Sequence, residues 1–450
     1  MSFTLPLLCL LASFFGIALL GDPQANATLF LILYGGSFFF WGLCVYAIRT
    51  LEENSLANAL LSACIVAGMI AGLLLFTKTT ISTDIYRYIW DGGLTLHGIN
   101  PYLVTPENVS LPALRGSGLF AMLDWKDQYT VYPPLAQLIS ACGYTLYSTF
   151  GIVAAKALFA SGALVAWWFF YRLVQPRIFI LALLNPMLLF EAYNGGHFDV
   201  FVVAALLGVW YFFRKERYYL SSILLAGAIL IKLYPLLFLP LFGAELFRRR
   251  GWFASVRYSA LCLGIVGMFY VPLLPHLLFL FNRYHAWVQE MMFNASAYNL
   301  LLHFYSSFTV EPALWALRTS TLLLILAAGF LARRALSPAT LLLASLVFLI
   351  SSSVVYPWYA LIALPFVFLL SEKETSFRYP LLYSLALMQF LVSMTYINEI
   401  LSIPFEIRAR LLSGVAVVEY GVLVALLLCA LALSRHWIKS SSLKASTNIG

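Results

Sequence analysis

Two aspartates, an arginine and five aromatic or branched apolar residues share one short stretch, Asp84-Ile85-Tyr86-Arg87-Tyr88-Ile89-Trp90-Asp91. Asp84 closely follows an apolar run ending near Phe76, so its carboxylate stands at an interface, partly desolvated and near Arg87 in sequence. Desolvation makes a carboxylate more basic, while a nearby guanidinium keeps it ionised. Those properties suit a general base that takes a proton from a hydroxyl. The same residues also read as the cap of a short interfacial helix, with the rings as a headgroup belt. Asp91 falls on the Asp84 face of such a helix. It is either a second carboxylate for sugar hydroxyls or a turn residue, with Gly92-Gly93 ending the helix.

Lys232 is the strongest purely physical signal. It lies inside an apolar segment, between Ile231 and Leu233-Tyr234-Pro235. An ionisable residue at membrane depth is costly and faces a polar cavity or an anionic ligand, unless it snorkels to the interface. An ammonium at the end of a broken helix suits a phosphate. His197 and Asp199 follow Gly195-Gly196 at the end of another apolar run, with Glu191 a turn earlier. No third ligand is clearly spaced for a metal, so hydrogen bonding to substrate or helix capping by Asp199 is expected. Arg283 and Asn294 lie in a later polar segment among Tyr284, Trp287 and Tyr298, and Trp358 and Tyr359 follow Pro357. Rings beside polar groups fit a sugar site. They fit an interfacial loop equally well.

The elements that must position these residues are membrane helices. The chain has 450 residues, 62% hydrophobic and 10% charged; soluble domains carry about 25% charge. The expected fold is an all-α polytopic membrane protein of about 12 transmembrane helices. Spans are placed near 5–21, 28–48, 55–76, 151–171, 178–193, 198–213, 258–275, 314–332, 339–356, 359–371, 380–397 and 411–433. The first is read as a span rather than a leader, because no basic region precedes it. A single integral-membrane domain over 1–438 is expected. It holds an outer catalytic loop at 77–131, a juxtamembrane helix at 132–149, a re-entrant broken hairpin at 220–245 and a second outer loop at 276–311. The tail 439–450 reads as disordered.

This arrangement puts most of the 27 Lys and Arg residues in cytoplasmic loops, as the positive-inside rule requires. It puts both termini inside and the polar loops outside. The net charge of +8 reflects that bias. No basic run with interleaved aromatics points to nucleic acid. The six cysteines are unclustered and read as packing residues.

The strings DIYRYIWDG (Asp84 to Gly92), GINPY (Gly98 to Tyr102) and YPPLAQL (Tyr132 to Leu138) resemble the bacterial polyprenol-phosphate-mannose-dependent mannosyltransferase-like proteins of the GT-C superfamily. GGHFD (Gly195 to Asp199), KLYP (Lys232 to Pro235) and PWY (Pro357 to Tyr359) occur there in the same order. The resemblance covers roughly residues 80 to 365, and its first block is the more specific. It implies a membrane enzyme of the bacterial cell membrane, active on the periplasmic or extracellular side. Its donor would be a polyprenyl-phosphate sugar, its acceptor a lipid or glycan. Asp84 matches the essential aspartate of the first outer loop. Lys232 and Arg283 are the candidates for the donor phosphate; Arg87, Asp91, Tyr132, His197, Asp199, Asn294, Trp358 and Tyr359 are those for substrate. The resemblance implies inversion in one displacement, with no cofactor and no metal. Two other readings are a lipid or anion transporter built round Lys232 and an O-antigen polymerase or ligase using diphosphate-linked donors. The first lacks inverted repeats; the second would carry its large arginine-bearing loop late in the chain.

Overall fold

A run of apolar residues in lipid must satisfy its backbone within itself, so it forms helix. The computed structural model describes residues 2–400 except 22, 24, 80, 110, 117, 291, 292, 295 and 374–377, together with 421 and 425. The regular structure of the described residues is helical. Among the described residues there is no β-strand, and a lone bridge joins Phe293 to Val354. Six described helices are long and apolar enough to cross a membrane: Ala27–Arg49, Glu53–Phe76, Ile152–Leu173, Trp252–Arg283, Pro312–Ala332 and Arg378–Ile397. A bent pair, Pro176–Leu183 with Pro186–Gly195, makes a seventh. Thr4–Leu20, Tyr218–Ile231, Pro338–Ser351 and Pro357–Glu372 are shorter apolar helices. The expected span 411–433 and the tail lie outside the described residues.

The structure departs from expectation where proline and glycine act. The segment expected as a first outer loop opens with a helix, Asp84–Leu96. That helix runs straight through Gly92-Gly93 instead of ending there. The glycines serve packing: a Cβ on Gly92 would meet the Ser140 backbone oxygen at 2.0 Å. Helix Pro134–Phe150 therefore lies directly on helix Asp84–Leu96, backbone against backbone. The second expected loop is also largely helical, as Leu277–Glu290 and Ser296–Ser306. The span near 178–193 bends by 48°, because Asn185 stops the first half and caps the second, its side chain accepting from the Leu188 amide at 3.0 Å.

Helix Tyr218–Ile231 stops at Lys232, whose backbone is extended (φ −142°, ψ 142°). A tight turn, Tyr234–Phe238, then leads into Leu239–Arg250, with prolines in the opening turns of both. Arg250 pairs with Glu216, so the chain returns to the level at which it set out. Arg214 closes helix Asp199–Arg214 at that same basic end, and Asp199 opens it at the other. Asp199 and Lys232 thus meet far from the arginines.

Candidate active site

The sequence motifs converge on one cleft of about 780 Å³. Asp84 is the first residue of its helix and lines the cleft with 28% of its side chain exposed. Tyr88, one turn on, donates to Asp84 Oδ2 at 3.2 Å, and Tyr132 donates to the same oxygen at 3.5 Å. Burial, and then the charge of Asp84, push both phenols well above their ordinary range. They are neutral donors that hold the carboxylate in place.

Arg87 does not serve Asp84. Its Nε binds Asp91 Oδ1 at 3.0 Å, one turn along the same helix, and its terminal nitrogens donate to the Trp125 and Gln128 carbonyls. The guanidinium is spent on tying the segment 125–128 to the helix. Asp91 is buried and does not line the cleft, so the two aspartates are not a working pair. Burial pushes the Asp91 carboxyl above its usual range, against the pull of Arg87.

The GGHFD segment is explained residue by residue. Gly195 leaves room for a contact between His197 and Glu191, since a Cβ there would sit 2.6 Å from His197 Nδ1. Gly196 takes φ of +68°, which an L side chain rarely adopts, and lies against Ile85. His197 is buried behind Asp84: Nδ1 is 2.6 Å from Glu191 Oε2, and Nε2 is 3.1 Å from Ser82 Oγ and 3.9 Å from Asp84 Oδ2. Phe198 packs on the Tyr88 and Tyr132 rings. Asp199 caps no helix, contrary to expectation. Its Oδ2 is 3.2 Å from Lys232 Nζ, and its Oδ1 accepts from the Tyr234 hydroxyl at 3.0 Å.

Lys232 lines the cleft with its ammonium over two rings, 4.8 Å from the centre of Tyr359 and 5.3 Å from that of Tyr132. Tyr132 therefore spans the gap between carboxylate and ammonium. Trp358 lines the cleft and stacks on His197 at 3.8 Å. Two expected residues stand apart. Arg283 lies over the rings of Tyr129 and Phe279 and outside the lining, and Asn294 sits beside the Phe293–Val354 bridge, also outside it. The side chain of His285 lies outside the described residues.

Sequence reasoning missed Glu191, noted only as a metal candidate, and Ser82, Tyr88 and Tyr234. It missed Asp124 too, a second carboxylate in the cleft wall that accepts from the Thr83 hydroxyl. Among the described residues no three His, Cys, Asp or Glu side chains are grouped to hold a metal ion.

Away from Asp84 the lining changes character. Leu233, Leu236, Leu237 and Pro240 face Leu324, Ile325, Ala328, Gly329 and Phe348, an apolar groove continuous with the polar end.

Fold and site together define a polytopic all-helical membrane protein with an acid–lysine cleft running into an apolar groove. Residues 11–248 match the family model described as alpha-(1->6)-mannopyranosyltransferase, N-terminal domain, and the chain belongs to that family. Alpha-(1->6)-mannopyranosyltransferase A of Corynebacterium glutamicum is 27% identical over 176 residues, 37% of this chain and 35% of the relative. The chain thus matches about a third of that relative's length. No solved structure matches it. The family match takes in Asp84, Tyr132, His197, Asp199 and Lys232; Trp358, Tyr359 and the groove wall from Leu324 onward lie beyond it.

Proposed function

We propose that this protein is an inverting mannosyltransferase that moves a mannosyl group from a polyprenyl-phosphate donor to a hydroxyl of a lipid or glycan. The observation that carries the reading is the single cleft in which Asp84 and Lys232 stand at one end of an apolar groove. A polyprenyl chain is apolar and its phosphate is anionic, so one ligand of that kind matches both halves. Residues 1–438 are taken as one catalytic domain, because both halves of the chain wall the cleft. The reaction is placed on the non-cytoplasmic face, because the basic turns gather at the opposite end from Asp199 and Lys232.

Asp84 takes the proton of the acceptor hydroxyl as that oxygen attacks the anomeric carbon. The transition state is oxocarbenium-like, by analogy with glycoside hydrolysis. The phosphate oxygen leaves on the opposite side with the bonding electrons, and one displacement inverts the anomeric centre. The leaving group is already acidic, so it needs a cation rather than a proton, and Lys232 supplies it. Tyr132 stands between base and cation. Tyr359 and Trp358 line the wall against which the sugar lies, with Trp358 already stacked on His197 and Tyr356.

Charge favours a monophosphate donor over a diphosphate. Among the described residues the cleft cations are Lys232 and Arg87, which already face Asp199 and Asp91, while Asp84 and Asp124 add negative charge. Each further negative charge on the donor meets this acidic wall, so the monophosphate, with less charge, is the better fit. The test is a donor panel on the purified protein with extracted lipids and glycans as acceptors: radiolabelled polyprenyl-phosphate mannose, polyprenyl-diphosphate mannose and a nucleotide-mannose. Transfer from the first alone is expected. Transfer from the nucleotide sugar without lipid would overturn the donor assignment.

A further inference from the structure

The mechanism leaves a proton on Asp84 at the moment when donor and acceptor cover that residue from solvent. Behind Asp84, away from the cleft, stands a buried group suited to take it. His197 is 1% exposed and lies between two carboxylates, with Nδ1 2.6 Å from Glu191 Oε2 and Nε2 3.9 Å from Asp84 Oδ2. The Glu191 carboxylate beside Nδ1 favours the form in which that nitrogen carries a hydrogen, which leaves Nε2, the nitrogen facing Ser82 and Asp84, free to accept a proton. Ser82 Oγ, 3.1 Å from Nε2, also accepts from the Asp84 backbone amide at 3.2 Å, so the serine ties the His197 ring to the Asp84 backbone.

Burial opposes a charge on the ring, and two neighbours act against that cost. Glu191 is buried in a π-helical turn, Glu191–Gly195, a form that recurs at functional sites. Trp358 presents its face at 3.8 Å and 14°, a contact that stabilises a cation. Tyr396, from helix Arg378–Ile400, packs edge-on against Trp358 with its ring 5.3 Å away. Gly195 is the residue that lets Glu191 and His197 approach so closely. A histidine needed for packing alone would require neither a carboxylate on one nitrogen nor the base on the other.

We infer that Glu191 and His197 form a positioning and proton-relay pair for Asp84. This rests on Asp84 being the general base. The acceptor O–H bond breaks as its oxygen bonds the anomeric carbon, and the carbon–phosphate oxygen bond breaks with its electrons leaving on phosphate. The proton goes first to Asp84 Oδ2 and then to His197 Nε2, giving an imidazolium that Glu191 neutralises and returning Asp84 to its ionised form. The 3.9 Å gap closes when substrates tighten the site, as hydrogen bonds at catalytic centres commonly do.

The test compares His197→Gln, Glu191→Gln, His197→Gly and Asp84→Asn with the native protein, using polyprenyl-phosphate mannose as donor. His197→Gln and Glu191→Gln are expected to lower kcat by about ten- to a hundredfold, with both KM values within about twofold. Added imidazole should restore His197→Gly, whereas pyrrole, of the same shape without the basic nitrogen, should not. Native kcat in folded His197→Gln or Glu191→Gln, a rise confined to KM, or equal rescue by pyrrole would overturn the relay. An inactive Asp84→Asn beside a fully active His197→Gln removes the relay alone. A fully active Asp84→Asn removes the base assignment on which it stands.

Discussion

Replacing Lys232 by methionine separates two roles that the structure assigns to one ammonium. In the folded protein Nζ lies 3.2 Å from Asp199 Oδ2, and the Asp199 side chain is 0% exposed. Lys232→Met leaves that carboxylate with the Tyr234 hydroxyl as its remaining hydrogen-bond donor among the contacts described above. Breaking a buried ion pair from one side costs about 3–5 kcal/mol. The double variant Lys232→Met/Asp199→Asn removes the stranded charge, and an asparagine oxygen still accepts from Tyr234, so most of that loss should return. Donor binding should not return with it. A hydrogen bond to a charged group is worth about 1.5–3 kcal/mol, and each 1.4 kcal/mol is tenfold. The double variant should therefore lose about ten- to a hundredfold in kcat/KM for the polyprenyl-phosphate donor while keeping near-native stability. Thermal unfolding of purified protein reads the first quantity, and initial rates against donor concentration read the second. A double variant with native stability and native kcat/KM would show that Lys232 only neutralises Asp199, and would refute its assignment to the phosphate.

Other outcomes follow from particular contacts. Gly92→Ala sets a Cβ against the backbone of Ser140, which cannot swing aside as a side chain would; a loss of about 1–3 kcal/mol or more is expected, read as a lower unfolding temperature. Gly329→Leu, by contrast, meets open space at its Cβ in the groove wall, so it should fold normally and raise KM for long-chain donors more than for short-chain ones; equal KM changes for both would remove the groove from donor binding. Arg87→Met strands Asp91, whose folded carboxyl titrates above its unfolded value of about 3.9. The folded state thus holds that proton more tightly, and stability falls as pH rises through the interval between the two values. The cost of Arg87→Met should be largest at neutral pH and shrink on acidification; a pH-independent cost would contradict the burial of an ionised Asp91.

Much of the site was legible because membrane chains carry few polar residues, so each one away from an interface stands out. Lys232 was found in that way, Asp84 from its place just beyond an apolar run, Tyr132 from the motif resemblance, and Trp358 and Tyr359 as rings following Pro357; all line the cleft. What the sequence withheld was who pairs with whom. Arg87 has two aspartates within helical reach, and the one a full turn along in the C-terminal direction takes it. Asp199 looks like a helix cap until the chain folds back at Lys232, 33 positions later, and supplies a cation. Glu191 sits in an apolar run with no local partner. Its meaning depends on a π turn and on two glycines whose missing side chains make room. The glycine pair at 92–93 misled for a related reason, since glycine both ends helices and lets them touch. Only the position of helix Pro134–Phe150 decides between these.

The most direct test of the account is transfer of radiolabelled mannose from polyprenyl-phosphate mannose by the purified protein, native against Asp84→Asn, with EDTA present throughout. An EDTA-resistant native rate is expected, with a drop of about 10²–10⁴-fold in kcat for Asp84→Asn and with donor binding and unfolding temperature unchanged. A folded Asp84→Asn that turns over at the native rate would contradict it.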